Sequence, residues 1–219
     1  MHITSEPAIL YFGTPVVLVS TVNENGSYNL APISSAWWLA WRCVLGFGAQ
    51  SKTPQNLIRT GECVLNLPSA DMTAAVNRLA LTTGSNPVPA SKIARGYRYE
   101  PEKFAVAGLT PRKSDIVAAP RVMECQVQLE ATVESVHPLA EQDETWRGRL
   151  LSVEVRIRRV HLSDAILAED DSNRIDPDKW RPLIMSFQHF YGLMAEKVHT
   201  SRLASIPESK YRMRAVSRA

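Results

Sequence analysis

Cysteine is scarce in this chain: three residues in 219, Cys43, Cys63 and Cys125. They form no C-x-x-C pair, and no Cys/His couple stands nearby, which argues against a disulfide scaffold and a zinc site. Each lies in an apolar run, so all three are expected as reduced, buried thiols. No run of 18 apolar residues exists, so no membrane span is expected. Met1–Pro7 lacks the positive region and apolar block of a secretory signal, and the expected location is the cytoplasm. No G-x-S-x-G elbow occurs. His189, in the aromatic setting Phe187-Gln188-His189-Phe190-Tyr191-Gly192, reads first as a packed or hydrogen-bonded histidine. Excess charge is lacking too: 25 Lys+Arg stand against 22 Asp+Glu, a net +3. Residues 196–219 carry +4 of it and residues 1–195 carry −1, which excludes a globally basic DNA-wrapping protein but leaves a basic arm.

What is present is strand-rich. Pro15–Val22 is β-branched and apolar and runs into Asn23-Glu24-Asn25-Gly26, a hairpin turn. A return strand follows over Tyr28–Ser35, and another over Arg42–Gly48. Thr53-Pro54 then opens a short helix, with Thr53 as N-cap and Gly61 just past its end. Cys63–Leu67 reads as a strand and Asp71–Leu81 as a helix. Thr82–Glu102, holding Gly84, Pro87, Pro89, Gly96 and Pro101, has no clear period and is a lid candidate. Arg121–Val136 and Gly148–Leu162 alternate apolar and polar residues, as antiparallel strands with one dry and one wet face do. With no βαβ rhythm, the pattern predicts a mainly β barrel with a few flanking helices.

Three segments offer chemistry. Gly46-Phe47-Gly48-Ala49-Gln50-Ser51 imitates a dinucleotide fingerprint, but Ser51 stands in place of the third glycine and no acid follows at the required spacing. Ser51-Lys52-Thr53-Pro54-Gln55-Asn56 opens a helix, where free N–H groups, two hydroxyls and one ammonium suit a phosphate monoester. The alternative there is a simple N-cap with a solvated lysine. In Asn29-Leu30-Ala31-Pro32-Ile33-Ser34-Ser35, Pro32 removes a ladder donor, so the strand bends or lies at an edge. Asn29, Ser34, Ser35 and freed backbone groups then either read the polar edge of a planar ligand or face water. Trp37, Trp38 and Trp41 crowd into five residues, for a ligand, a subunit interface or the core.

The order PVVLVSTVNENGSYNLAPISS, then SKTPQNLIRTGECVLNLPS, resembles the flavin reductase-like FMN-binding split-barrel family, which includes flavoredoxin-type proteins. Lys103-Phe104 to Gly108-Leu109-Thr110-Pro111, Arg121-Val122-Met123-Glu124-Cys125 to Leu129-Glu130, and Trp180-Arg181-Pro182-Leu183-Ile184 fit the same family. The resemblance spans residues 8–193 and leaves 194–219 as a basic C-terminal extension. It implies an antiparallel split barrel and a homodimer with FMN near the subunit interface. Asn29, Ala31, Pro32, Ile33, Ser34 and Ser35 match the family's N-x-A-P-x-S segment, which meets the isoalloxazine and ribityl-phosphate. Ser51, Lys52, Thr53 and Asn56 match its segment on the phosphate side. Where many relatives have Pro-Pro before the third strand, this chain has Trp41-Arg42-Cys43, and Trp37-Trp38 stand where relatives carry one bulky aromatic. Both departures fall where the family's substrate side lies.

The resulting expectation is an FMN protein, with the flavin tightly or transiently held. It takes hydride from NAD(P)H and passes electrons to flavin or another acceptor; the cofactor carries the chemistry, so no catalytic side chain is named. One alternative is an FMN electron carrier, or an oxidoreductase with its own organic substrate. Another is nucleic-acid binding through the arm, where Tyr211 stands among Lys210, Arg212 and Arg214.

Overall fold

The computed structural model of the chain describes residues 2–211. Strands β1 (Phe12–Pro15), β2 (Val17–Val22), β3 (Tyr28–Ile33), β4 (Ala36–Leu39) and β5 (Arg42–Gly48) are followed by helix α1 (Lys52–Thr60) and strand β6 (Glu62–Leu67). Short helices α2 (Thr73–Arg78), α3 (Ala90–Ile93) and α4 (Lys103–Ala107) come next. The long strands β7 (Val127–Leu139) and β8 (Leu150–Leu162) then precede β9 (Ile184–Ser186) and β10 (His189–Tyr191).

Seven strands form one antiparallel sheet in the order β3-β2-β6-β7-β8-β5-β4. Register shifts in the β7–β8 ladder at Glu130/Ala131 and Val133/Ser135 bend it. The sheet curls so far that Val19, Leu45, Leu65, Ala131 and Val155, from five different strands, share one core with Leu57 of α1. This is the mainly β barrel that the alternation predicts and the antiparallel split barrel that the resemblance implies. A second core lies where Leu18 and Leu30 pack against α2 and α4 through Val76, Leu79, Phe104 and Ala107. Cys43, Cys63 and Cys125 are free and buried, and burial pushes the Cys43 thiol up to about 12. No described helix is long and apolar enough to cross a membrane.

Several local expectations shift. Ser51, not Thr53, takes the extended N-cap position of α1; Pro54 still falls in the first turn, where its missing N–H costs nothing. Gly61 ends the helix as expected, left-handed at φ 71, with its N–H donated to Leu57 at 2.9 Å. The helix expected over 71–81 is a 3-10 turn at Ala70–Met72 and then α2, which ends at Arg78; Leu81, at φ 55, lies outside helical space. Residues 82–102 are not structureless: Thr82–Thr83 pairs in parallel with Arg98–Tyr99, and α3 lies between.

The strand expected from Arg121 breaks after Val122 and resumes at Val127. Its supposed wet face is dry in the middle, where Gln128 is buried and Glu130 is 0% exposed, while Glu124 and Glu134 do face water. The segment before the strand covers that face. One Glu130 oxygen accepts the Asp115 N–H at 2.9 Å and the other the Ile116 N–H at 2.7 Å, and His161 Nε2 lies 2.6 Å away. Burial alone would raise the Glu130 pKa; the two backbone donors and His161 outweigh it and hold the carboxyl below its ordinary range. Asp115 is ion-paired with Arg159 at 2.7 Å, so this acidic group is knitted to cations of its own chain.

His189 sits exposed on β10, because β10 is the outer strand of the small β1-β9-β10 sheet; the packed reading of it does not hold. The described part of the basic extension folds back on the body. Lys197 pairs with Asp178 at 2.7 Å, Glu208 with Arg174 at 3.5 Å, and Arg181 donates to the Ala195 carbonyl at 3.0 Å. Arg212, Arg214 and Arg218 lie outside the described residues.

Candidate functional site

A cleft of about 860 Å³ opens where β3, the end of β5, the start of α1, residues 79–103 and the β7–β8 hairpin converge. Asn29, Ala31, Pro32 and Ile33 line it from β3, and Ser51, Lys52 and Thr53 line it from α1. Two segments separated by residues 34–50 are thus brought to one wall. They meet because β3 is an edge strand, and the Asn29 amide nitrogen donates to Thr53 Oγ1 at 3.1 Å and to Thr21 Oγ1 at 3.3 Å. Gly84 closes tightly on this junction: a Cβ there would lie 2.6 Å from Asn29 Oδ1 and 3.2 Å from Lys52 Cγ.

Ser34, Ser35 and Asn56 do not line the cleft. The Ser35 hydroxyl lies 2.7 Å from the Tyr11 hydroxyl, and the Ser35 carbonyl accepts the Gly46 N–H at 2.8 Å. Asn56 is fully buried on the inner face of α1, donating to Thr21 Oγ1 at 3.0 Å and Asn23 Oδ1 at 2.9 Å, so it braces the turn beneath the site. Of the tryptophans, Trp38 packs against the barrel core, while Trp37 and Trp41 are 56% and 57% exposed on the β4–β5 corner.

The electrostatics of the cleft are one-sided. Lys52, Lys92, Arg95, Lys103 and Arg149 line it, and among the described residues no Asp or Glu does. Lys52 is held 3.2 Å from Glu24 outside the cleft. Lys103 is only 3% exposed, and among the described residues no carboxylate pairs with it. Burial pushes its pKa down to about 8; Lys92 adds repulsion, and Glu100 offsets part of it. A buried ammonium without a counter-charge is costly, and an anion entering the cleft would relieve that cost. A phosphate-bearing planar ligand fits this lining, with cations for the phosphate and Ile33, Phe47, Leu150 and the half-exposed Trp146 for apolar faces.

Sequence reasoning did not single out Lys103, Lys92, Arg95 or Arg149. Only the lid expectation for Thr82–Glu102 pointed toward this wall, and much of it does line the cleft, as ordered chain. Lys103, next to Pro101-Glu102 at a short helix start, carries no sign of burial in its local pattern.

Residues 9–193 match the family model described as the flavin reductase like domain. The YdfE protein of Bacillus subtilis (strain 168), itself uncharacterised, is 38% identical over 197 residues, covering 90% of this chain and 92% of that one. Flavoredoxin of Desulfovibrio vulgaris (Miyazaki F) superposes with a TM-score of 0.73 at 18% identity, covering 94% of this chain and 99% of that one. Nitrilotriacetate monooxygenase component B from Bacillus cereus superposes at 0.69 with 21% identity, covering 88% and 89%.

Proposed function

Because the chain belongs to the flavin reductase like family, we propose that its cleft binds FMN and that the protein takes hydride from NAD(P)H and passes electrons onward. The observation that carries the reading is the acid-free, cationic cleft built on Asn29–Ile33 and Ser51–Thr53. When bound, the flavin supplies a two-electron acceptor, so the protein needs no nucleophile or general acid of its own.

The chain's part is positioning. The N–H groups at the start of α1, with Ser51, Thr53 and Lys52, receive the phosphate, and Lys103 completes its charge neutralisation. Backbone groups of Ala31–Ile33 meet the ring edge where Pro32 interrupts the strand's donors. Asn29 fixes β3 against α1 and so sets the distance between ring and phosphate contacts. The working form is a homodimer in the cytoplasm. The exposed Trp37, Leu39 and Trp41 on the edge strand β4 and its corner support a subunit contact there.

The test is a visible spectrum of the purified protein with FMN, before and after NADH or NADPH under nitrogen. Flavin bands that bleach on addition are expected. A protein that stays colourless and cannot be reconstituted with FMN would falsify the reading. Bound flavin that neither dinucleotide bleaches would leave an electron carrier or an oxidoreductase with its own organic substrate.

A further inference from the structure

The cleft holds more positive charge than one phosphate monoester neutralises. Such a group carries about two negative charges at neutral pH. Five cations line the cleft, and among the described residues only Lys52 has a carboxylate partner. Assigning Lys52 and Lys103 to the flavin phosphate leaves Lys92, Arg95 and Arg149 unused.

Lys92 and Arg95 are organised rather than merely near. Lys92 Nζ donates to Thr83 Oγ1 at 3.1 Å, and the Arg95 Nε donates to the Ser91 carbonyl at 2.9 Å. The ammonium and the guanidinium carbon each lie 5.7 Å from the centre of the Tyr97 ring, so one aromatic side chain holds both cations. Burial lowers the Lys92 pKa and the neighbouring Arg95 adds to it, a repulsion that an anion would remove. Among the described residues no carboxylate pairs with either.

We propose that Lys92, Arg95 and Tyr97 form a second phosphoanion subsite, which takes a phosphate of a nucleotide bound beside the flavin. The inference rests on the flavin reading for the identity of the first ligand. A dinucleotide offers two sources for that phosphate, its pyrophosphate bridge and, in NADP⁺, the ribose phosphate.

The experiment is calorimetric titration of NAD⁺ and NADP⁺ into the FMN-loaded protein, comparing wild type with Lys92→Gln/Arg95→Gln. The double variant should weaken dinucleotide binding by about tenfold and leave FMN affinity unchanged. Weakening of both dinucleotides assigns the pyrophosphate, and weakening of NADP⁺ alone assigns the ribose phosphate. Unchanged dinucleotide affinity overturns the subsite, and so does a parallel loss of FMN affinity, which would place both cations on the flavin phosphate. Arg95→Gln alone, at an exposed position, serves if the double variant does not fold. Inorganic pyrophosphate titrated into flavin-free protein reads the same wall independently. A chain that takes no FMN yet loses pyrophosphate affinity in the variant fails the flavin reading and keeps this one.

Discussion

Lys103 is a stability cost that the fold carries at neutral pH. With its pKa moved from 10.5 to about 8, the folded state binds fewer protons than the unfolded chain across that window. The penalty is full below about pH 8 and fades as pH rises toward 10.5, and a shift of this size corresponds to roughly 3 kcal/mol. Lys103→Met should therefore raise the melting temperature at pH 7 and flatten its rise between those limits, as read by thermal scans. The same substitution should weaken FMN by about tenfold or more while leaving riboflavin, which lacks the phosphate, nearly unaffected. In the wild type, FMN affinity should decline as pH climbs through about 8, when the free ammonium is lost. None of this is legible locally, because a lysine opening a short helix looks the same in sequence whether water or protein surrounds it. Lys52 and Thr53 were legible, since a helix start with hydroxyls and an ammonium announces its own chemistry.

Among the elements, β5 was readable to the residue, because Arg42–Gly48 alternates between a buried and a partly exposed face. For β7 the alternation held but its meaning did not. At Gln128 and Glu130 the polar face that periodicity assigns to water is roofed by residues 110–121, and only tertiary structure shows a roof. Glu130 is what fastens it, through the N–H groups of Asp115 and Ile116 and the ring of His161. Glu130→Ala should cost about 1–3 kcal/mol, a melting-temperature drop of several degrees. Because the native carboxyl sits below its ordinary value, this contribution is present above about 4.5 and is lost as pH falls through the lowered native pKa. Acid titration of wild type and variant should thus converge at low pH. The boundary errors at α1 and α2 have a plainer origin. Ser51 and Thr53 are both favoured cap residues, and a left-handed Leu81 is invisible in a pattern of apolar spacing.

For the molecule as a whole, a barrel with flanking helices followed from alternation and turn chemistry, whereas subunit arrangement leaves no mark that one chain's pattern can settle. Trp37 and Leu39 on an edge strand, and Trp41 at its corner, are large apolar side chains in the open, a combination that a second subunit would cover. Sedimentation velocity should find a dimer, and Trp37→Glu/Trp41→Glu should shift it to monomer with the barrel's circular dichroism intact. The net charge reads differently once the chain is folded. Lys197 of the extension faces an acid of the body, Asp178, while Lys92, Arg95, Lys103 and Arg149, without a carboxylate partner among the described residues, gather in the cleft.

The cleft has two walls of different character. One is β3 with the start of α1, woven into the hydrogen-bond ladder that builds the barrel; the other is residues 79–103, which meets it at Gly84 and is braced within itself by the short pairing of Thr82–Thr83 with Arg98–Tyr99. A mutation in the first wall risks the fold, whereas most of the second can change its side chains without disturbing a barrel strand. In evolutionary terms, the fixed wall preserves the common ligand and the replaceable wall is free to diverge. Lineages sharing this barrel would then part company in partner choice at residues 85–97 before they part company anywhere in the core.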